Sequence, residues 1–127
     1  MLANLTRSLD FHSNALVLRA ERQRVIASNI ANADTPGYHR KVISFKEELE
    51  TGRVTAGPVS LDETELTRIY DPSHPMAGED GYYDGSNVDL VIEIADAREA
   101  QRSYEANLRL FDQARQMTQG LFELLRR

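Results

Sequence analysis

Apolar and small side chains recur at Leu2, Leu5, Leu9, Leu16, Ala20, Ala27 and Ile30, with His12 and Gln23 filling two gaps in the rhythm. Steps of three and four place these positions on one stripe of an α-helix. The stripe predicts a helical N-terminal arm over residues 1–34, roughly 45 Å long at the α-helical rise. Its end has a local cause. Thr35 precedes Pro36 and is pushed out of the α region, and Pro36-Gly37 suits the centre of a type II turn. Asn32 and Asp34 can satisfy backbone groups freed there. A second stripe runs Leu90, Ile94, Ala97, Gln101, Tyr104, Leu108, Phe111, Ala114, Thr118, Leu121 and Leu125, nearly a heptad seam. It predicts a C-terminal arm over residues 87–127, on the order of 55 Å long, capped by Asn87 or Asp89.

All four prolines and six of the seven glycines fall between residues 36 and 85, so the segment 35–86 breaks the helices apart. Residues 41–45 alternate like a strand. Residues 53–56, 58–61 and 66–70 are further short candidates, interrupted at Gly57-Pro58 and Asp71-Pro72, and residues 72–86 read as loop. The expected fold is mainly α: two long terminal helices paired as a coiled-coil-like hairpin around a small β and irregular middle.

Each helix also carries large apolar residues off its stripe: Phe11, Leu18, Val25 and Ile26 on the first, Val91, Leu110, Phe122 and Leu124 on the second. One hairpin cannot bury both faces of both helices. At about 25 cal/mol per Å² of apolar surface, four such side chains per helix leave several kcal/mol for a partner. Self-association or assembly is expected. The alternative is a middle segment folded back as a cover, but it has few large apolar residues for that task.

With 127 residues the chain has room for one small domain. Its net charge of −5 argues against nucleic acid or anionic membrane as a main partner. The acidic excess sits in residues 51–87, with seven acidic side chains against two basic. The absence of cysteine excludes disulfides, thiolate-ligated zinc and thiol catalysis. The apolar stretch Ala15-Leu16-Val17-Leu18 ends at Arg19, too short for a transmembrane span or a secretory signal. His12, His39 and His74 stand at no metal-binding spacing, and His12 reads as a packed or partner-facing side chain. Asp80, Asp84 and Gly85 fail as a calcium loop, with Tyr82 at the third position and Val91 at the closing one. Neither a phosphate-cradling glycine loop nor a nucleophile elbow occurs, and Glu47-Glu48 suits a solvated strand end. Arg98, Glu99, Arg102, Glu105 and Arg109 suit surface pairs along one helix. An enzyme is disfavoured, and no cofactor is implied.

The run Ser28-Asn29-Ile30-Ala31-Asn32-Ala33-Asp34-Thr35-Pro36-Gly37-Tyr38 resembles the signature of the bacterial flagellar rod and hook proteins. Tyr70-Asp71-Pro72-Ser73-His74-Pro75, Gly81-Tyr82, Asn87-Val88-Asp89 and Ser103-Tyr104-Glu105-Ala106-Asn107 resemble the proximal-rod branch of that family. The direct step from Tyr38 to His39-Arg40-Lys41 departs from it, resembling a second proximal-rod branch and the distal-rod and hook relatives.

The resemblance implies a structural rod subunit that polymerises with copies of itself and other rod proteins. The tube would cross the periplasm, with the terminal helices as its inner layer, and carry torque to the hook. It also implies export through the flagellar type III apparatus without a cleaved signal, and no direct membrane insertion. Ser28, Asn29, Ile30, Asn32, Asp34, Thr35, Pro36, Gly37 and Tyr38 would form an assembly junction. Leu9, Leu16, Ile30, Ile94, Tyr104, Leu108, Phe111, Leu121 and Leu125 are the expected seam or interface positions. Two other readings stay open: a helical-hairpin adaptor for one soluble partner, and a metal-dependent hydrolase using His74.

Overall fold

The structure is a computed structural model describing residues 2–47 and 54–126. Glu48, Arg53 and residue 127, named above in a carboxylate pair, a candidate strand and the C-terminal arm, lie outside the described residues. The order is α1 (Leu2–Ala31), β1 (Lys41–Glu47), β2 (Val54–Leu61), β3 (Arg68–Tyr70), β4 (Tyr82–Asp84) and α2 (Leu90–Arg126). The chain is mainly helical. The two helices pack against each other and run antiparallel: Arg22 meets Glu99 at 3.4 Å, while Phe11 and Ala15 lie near Asn107.

Helix α1 ends at Ala31, three residues before the expected boundary at 34, because the chain tightens into turns there. The Asn32 side chain donates to the Ser28 carbonyl at 2.8 Å, and Thr35 N–H to the Asn32 carbonyl at 3.0 Å. The type II turn follows as expected. Tyr38 N–H reaches the Thr35 carbonyl at 3.2 Å, with Gly37 at φ 74°. At the other helix Asp89, not Asn87, is the cap. Its carboxylate accepts from Val91 N–H at 3.0 Å, its carbonyl from Glu93 N–H at 2.9 Å.

The face of α2 turned inward keeps six positions of the expected stripe and lies one residue earlier at Glu93, Ala100 and Asn107. It passes through Glu93, Ala97, Ala100, Tyr104, Asn107, Phe111, Ala114, Thr118 and Leu121, in alternating steps of four and three. Tyr104, Phe111 and Leu121 keep their expected face, half-buried, whereas Ile94, Leu108 and Leu125 are exposed. The reason is size. Close helix approach favours small side chains, and Ala100 is fully buried where the expected stripe passes through Gln101. On α1 the expectation inverts in the same way. Leu18, Val25 and Ile26, expected off the stripe, are buried, while Leu9, Leu16 and Ile30 are half-buried. Helix α1 must face both α2 and the first β-hairpin, so one narrow stripe cannot describe it.

Strands β1 and β2 form an antiparallel pair from Lys41↔Leu61 to Glu47↔Val54. The two short candidates around Gly57-Pro58 are one strand. The register shifts between Ile43 and Phe45, opposite that dipeptide, so glycine and proline create a bulge without ending the strand. Asn14 ties α1 to this hairpin by donating to the Val54 carbonyl at 2.6 Å.

The 72–86 segment, expected as loop, contains β4, which pairs antiparallel with β3. The connection is held by side chains. Tyr70 and Tyr82 meet edge to face at 5.1 Å, and His74 stacks on Tyr83 at 3.9 Å. Gly81 sits at φ 81°, where a Cβ would lie 2.8 Å from the Tyr70 ring, so both conformation and space call for glycine.

Candidate functional site

Four chain segments converge where α1 ends: the 35–38 turn, the start of β1, the stretch after β2 and the lead into α2. Asn29, in the last turn of α1, is 1% exposed. Its Oδ1 accepts from Lys41 N–H at 2.8 Å and from the Tyr38 hydroxyl at 2.9 Å, and its Nδ2 donates to the Lys41 carbonyl at 2.9 Å. One primary amide thus gives Lys41 both hydrogen bonds that a neighbouring strand would give. Asn29 clamps the strand that follows the helix; Asn32, three residues on, does the capping. The Ser28 hydroxyl lies 3.3 Å from the Tyr38 hydroxyl and extends this network.

Asn87 performs the same kind of task from the other side. Its Oδ1 accepts from Arg40 N–H, and its Nδ2 donates to the carbonyls of Asp62 at 2.8 Å and Thr64 at 3.1 Å. The buried Ser86 hydroxyl donates to the Ala33 carbonyl. Gly37 N–H bridges to the Asp84 and Gly85 carbonyls at 3.2 and 3.1 Å, joining the turn to the end of β4. Tyr38 is held from both sides, its hydroxyl donating to Asn29 and its carbonyl accepting from Asn87 N–H at 3.3 Å. Thr35 bonds to Asn32 within the turn, and Pro36 is half-buried. The Asp34 side chain is exposed.

Arg40 is the electrostatic centre. Its Nε donates to Glu93 Oε1, and its terminal nitrogens stand 3.7 Å from an Asp62 carboxylate oxygen and 3.5 Å from one of Asp96. Glu93 is fully buried, and its Oε2 has no hydrogen-bond partner among the described residues. The hydrogen bond to Glu93 holds the Arg40 guanidinium above its ordinary pKa, against an opposing effect of burial. Sequence reasoning missed both residues, since their 53-residue separation leaves no local pattern.

Asp62 is held below the usual carboxylate range mainly by the Thr64 hydroxyl and amide, with a smaller contribution from Arg40. Asp71 is lowered chiefly by the Ser73 hydroxyl, and Asp80 chiefly by Tyr82 N–H and then Arg68. Carboxylates depressed in the folded state contribute stability that is present above their unfolded pKa and lost as pH falls through the folded one. These three should leave the urea midpoint unchanged between about pH 5 and 7 and lower it below about pH 4. A midpoint that rises on acidification would contradict the assignment.

The proximal-rod motif residues lie apart. Tyr70 ends β3, Asp71, Pro72, His74 and Pro75 belong to the β3–β4 connection, and His74 Nδ1 accepts from Met76 N–H at 3.1 Å, which engages the ring structurally. Ser103, Glu105, Ala106 and Asn107 lie on α2, with Asn107 turned toward α1 and Glu105 exposed. The expected surface pairs along α2 give way to other contacts: Glu99 reaches Arg22, and Gln101 approaches Glu105 at 3.4 Å. Among the described residues no group of three or more His, Asp or Glu side chains could hold a metal ion, and no helix is long and apolar enough to cross a membrane.

Polar side chains throughout this junction fix backbone direction, and the class defined is a structural helix-pair protein. Residues 9–39 match the family model described as flagella basal body rod protein, and residues 79–124 match that of the flagellar basal body rod FlgEFG protein C-terminal. The chain is 37% identical to the flagellar basal-body rod protein FlgC of Agrobacterium fabrum, over 89% of each chain. It is 32% identical to FlgC of Salmonella typhimurium, over 89% of this chain and 92% of that one. With FlgB of Salmonella typhimurium the identity is 36%, over 85% and 87%. The chain belongs to the flagellar basal-body rod protein family. It is a structural rod subunit of the basal body, not an enzyme.

Proposed function

We propose that the chain is an FlgC-type subunit of the proximal rod, polymerising with copies of itself and with other rod proteins into a helical tube. The tube crosses the periplasm and transmits torque to the hook. In this reading α1 and α2 pair as a coiled coil in the inner layer, residues 1–34 and 87–127 form that layer, and residues 35–86 lie outside it. The Ser28–Tyr38 segment is the assembly junction, and exposed Ile94, Leu108 and Leu125 are interface positions between subunits. Export runs through the flagellar type III apparatus without a cleaved signal, and a chain without cysteine suits threading into an oxidising compartment.

The observation that carries this reading is the apolar surface that α2 leaves exposed. Val91 is 78% exposed, and Leu110, Phe122, Leu124 and Leu125 are each about half exposed or more. So much wet apolar surface on one helix favours a neighbour. The test is light scattering and negative-stain microscopy of purified protein over a concentration series. Open-ended, concentration-dependent assemblies are expected; a particle that stays monomeric, or stops at a dimer, would overturn the reading. Subtype is tested by expression in two bacterial strains, one lacking FlgC and one lacking FlgB. Rods should return only in the first.

A further inference from the structure

We infer that copies of this chain join head to tail, the acidic 61–66 segment of one docking on a basic and apolar face of α2 of the next. This rests on the assembly reading above and names its two contact surfaces. The α2 face is made by Val91, Ile94 and Ala95 with Arg98, Glu99 and Arg102, all exposed. Glu99 is already engaged by Arg22 at 3.4 Å. Neither Arg98 nor Arg102 has an ion pair or hydrogen bond with any described residue. Two free guanidiniums beside exposed aliphatics form a site for a partner with carboxylates next to an apolar anchor.

The chain itself presents that partner. Between β2 and β3, Glu63 and Glu65 are exposed and have no ion pair with a described residue, and Leu61 beside them is 56% exposed. The segment is held in shape. Asn87 takes its Asp62 and Thr64 carbonyls, Thr64 N–H and hydroxyl bind the Asp62 carboxylate, and Arg40 pairs with Asp62. A preformed loop loses less entropy on docking than a slack one.

Helix geometry decides who docks with whom. Arg40 bridges Asp62 to Glu93, so the acidic segment lies on the Glu93 side of α2. At roughly 100° per residue, Val91, Arg98 and Arg102 stand about 140–180° around the helix from Glu93. The basic face and the segment therefore point away from each other in one molecule and cannot meet within it. Different surfaces meeting between copies make a heterologous contact, which propagates as an open helical array unless it closes into a ring.

The test uses two full-length double variants, Arg98→Glu/Arg102→Glu and Glu63→Arg/Glu65→Arg, in sedimentation velocity at increasing concentration. All four positions are exposed, so circular dichroism should match the parent. Each variant alone sets like charges against each other in every junction and should associate on the order of tenfold more weakly. Mixed at equal ratio, the two variants can form junctions of complementary charge, and association should return. High salt should weaken the parent and the mixture alike. Association unchanged in either variant, as an occupant from another rod protein would leave it, overturns the inference while sparing the assembly reading. So does a mixture no better than its parts. A parent chain that never associates overturns both.

Discussion

Asn29→Ala is expected to lower the stability of the dilute chain by about 2–4 kcal/mol, because it removes three hydrogen bonds from a site closed to solvent. The lost side chain leaves the Lys41 N–H and carbonyl without their partner just where β1 begins, and the Tyr38 hydroxyl keeps only its neighbour Ser28. Urea denaturation should show the loss as a lower midpoint. Hydrogen exchange should show the Lys41 amide opening before the rest of the fold. Asn29→Asp is a sharper probe of the same geometry. It keeps the acceptor for Lys41 N–H and Tyr38, but turns the donor facing the Lys41 carbonyl into a second acceptor. It should also destabilise, and less so at acid pH, where a protonated carboxyl regains a donor. A stability within about 0.5 kcal/mol of the parent for Asn29→Ala would show that the clamp is ornamental.

The second large effect is expected at Arg40. Arg40→Met leaves Glu93 fully buried without its cation, beside Asp62 and Asp96, and such a broken buried pair typically costs about 3–5 kcal/mol. Arg40→Met/Glu93→Leu removes both charges and should recover most of the loss. The discriminating measurement is the stability of this double variant, and no recovery there would mean that lost packing, rather than stranded charge, is responsible.

What the chain declares locally, a reader of its sequence can find. Thr35-Pro36-Gly37-Tyr38 contains everything that its turn requires, since proline sets one φ and glycine permits the other. The two helices are equally plain, because proline and glycine are confined almost wholly to the middle. Long-range choices are hidden. Glu93 reads as an acidic residue in a first turn until Arg40 arrives from 53 positions away. Asn29 reads only as one member of the junction motif, and the folded strand alone shows that it faces Lys41. The expected seam on α2 is one residue off at three turns. Ile94 and Leu108 outweigh Glu93 and Asn107 in any hydrophobic count, yet Glu93, Ala100 and Asn107 are the residues that face inward. Strand β4 escapes a reading of the sequence because three residues flanked by glycines become a strand only beside β3.

The face between the helices has a mechanical corollary. Ala97 and Ala100 allow close approach near the start of α2, whereas Tyr104, Phe111 and Leu121 are half-buried knobs farther along that oppose axial displacement of α1. The Arg22–Glu99 bridge and the Arg40 cluster both lie near the first three turns of α2. Among the described residues the ion pairs that tie α2 to the rest of the hairpin thus gather at the end where β1 departs, and the far tip relies on side-chain packing.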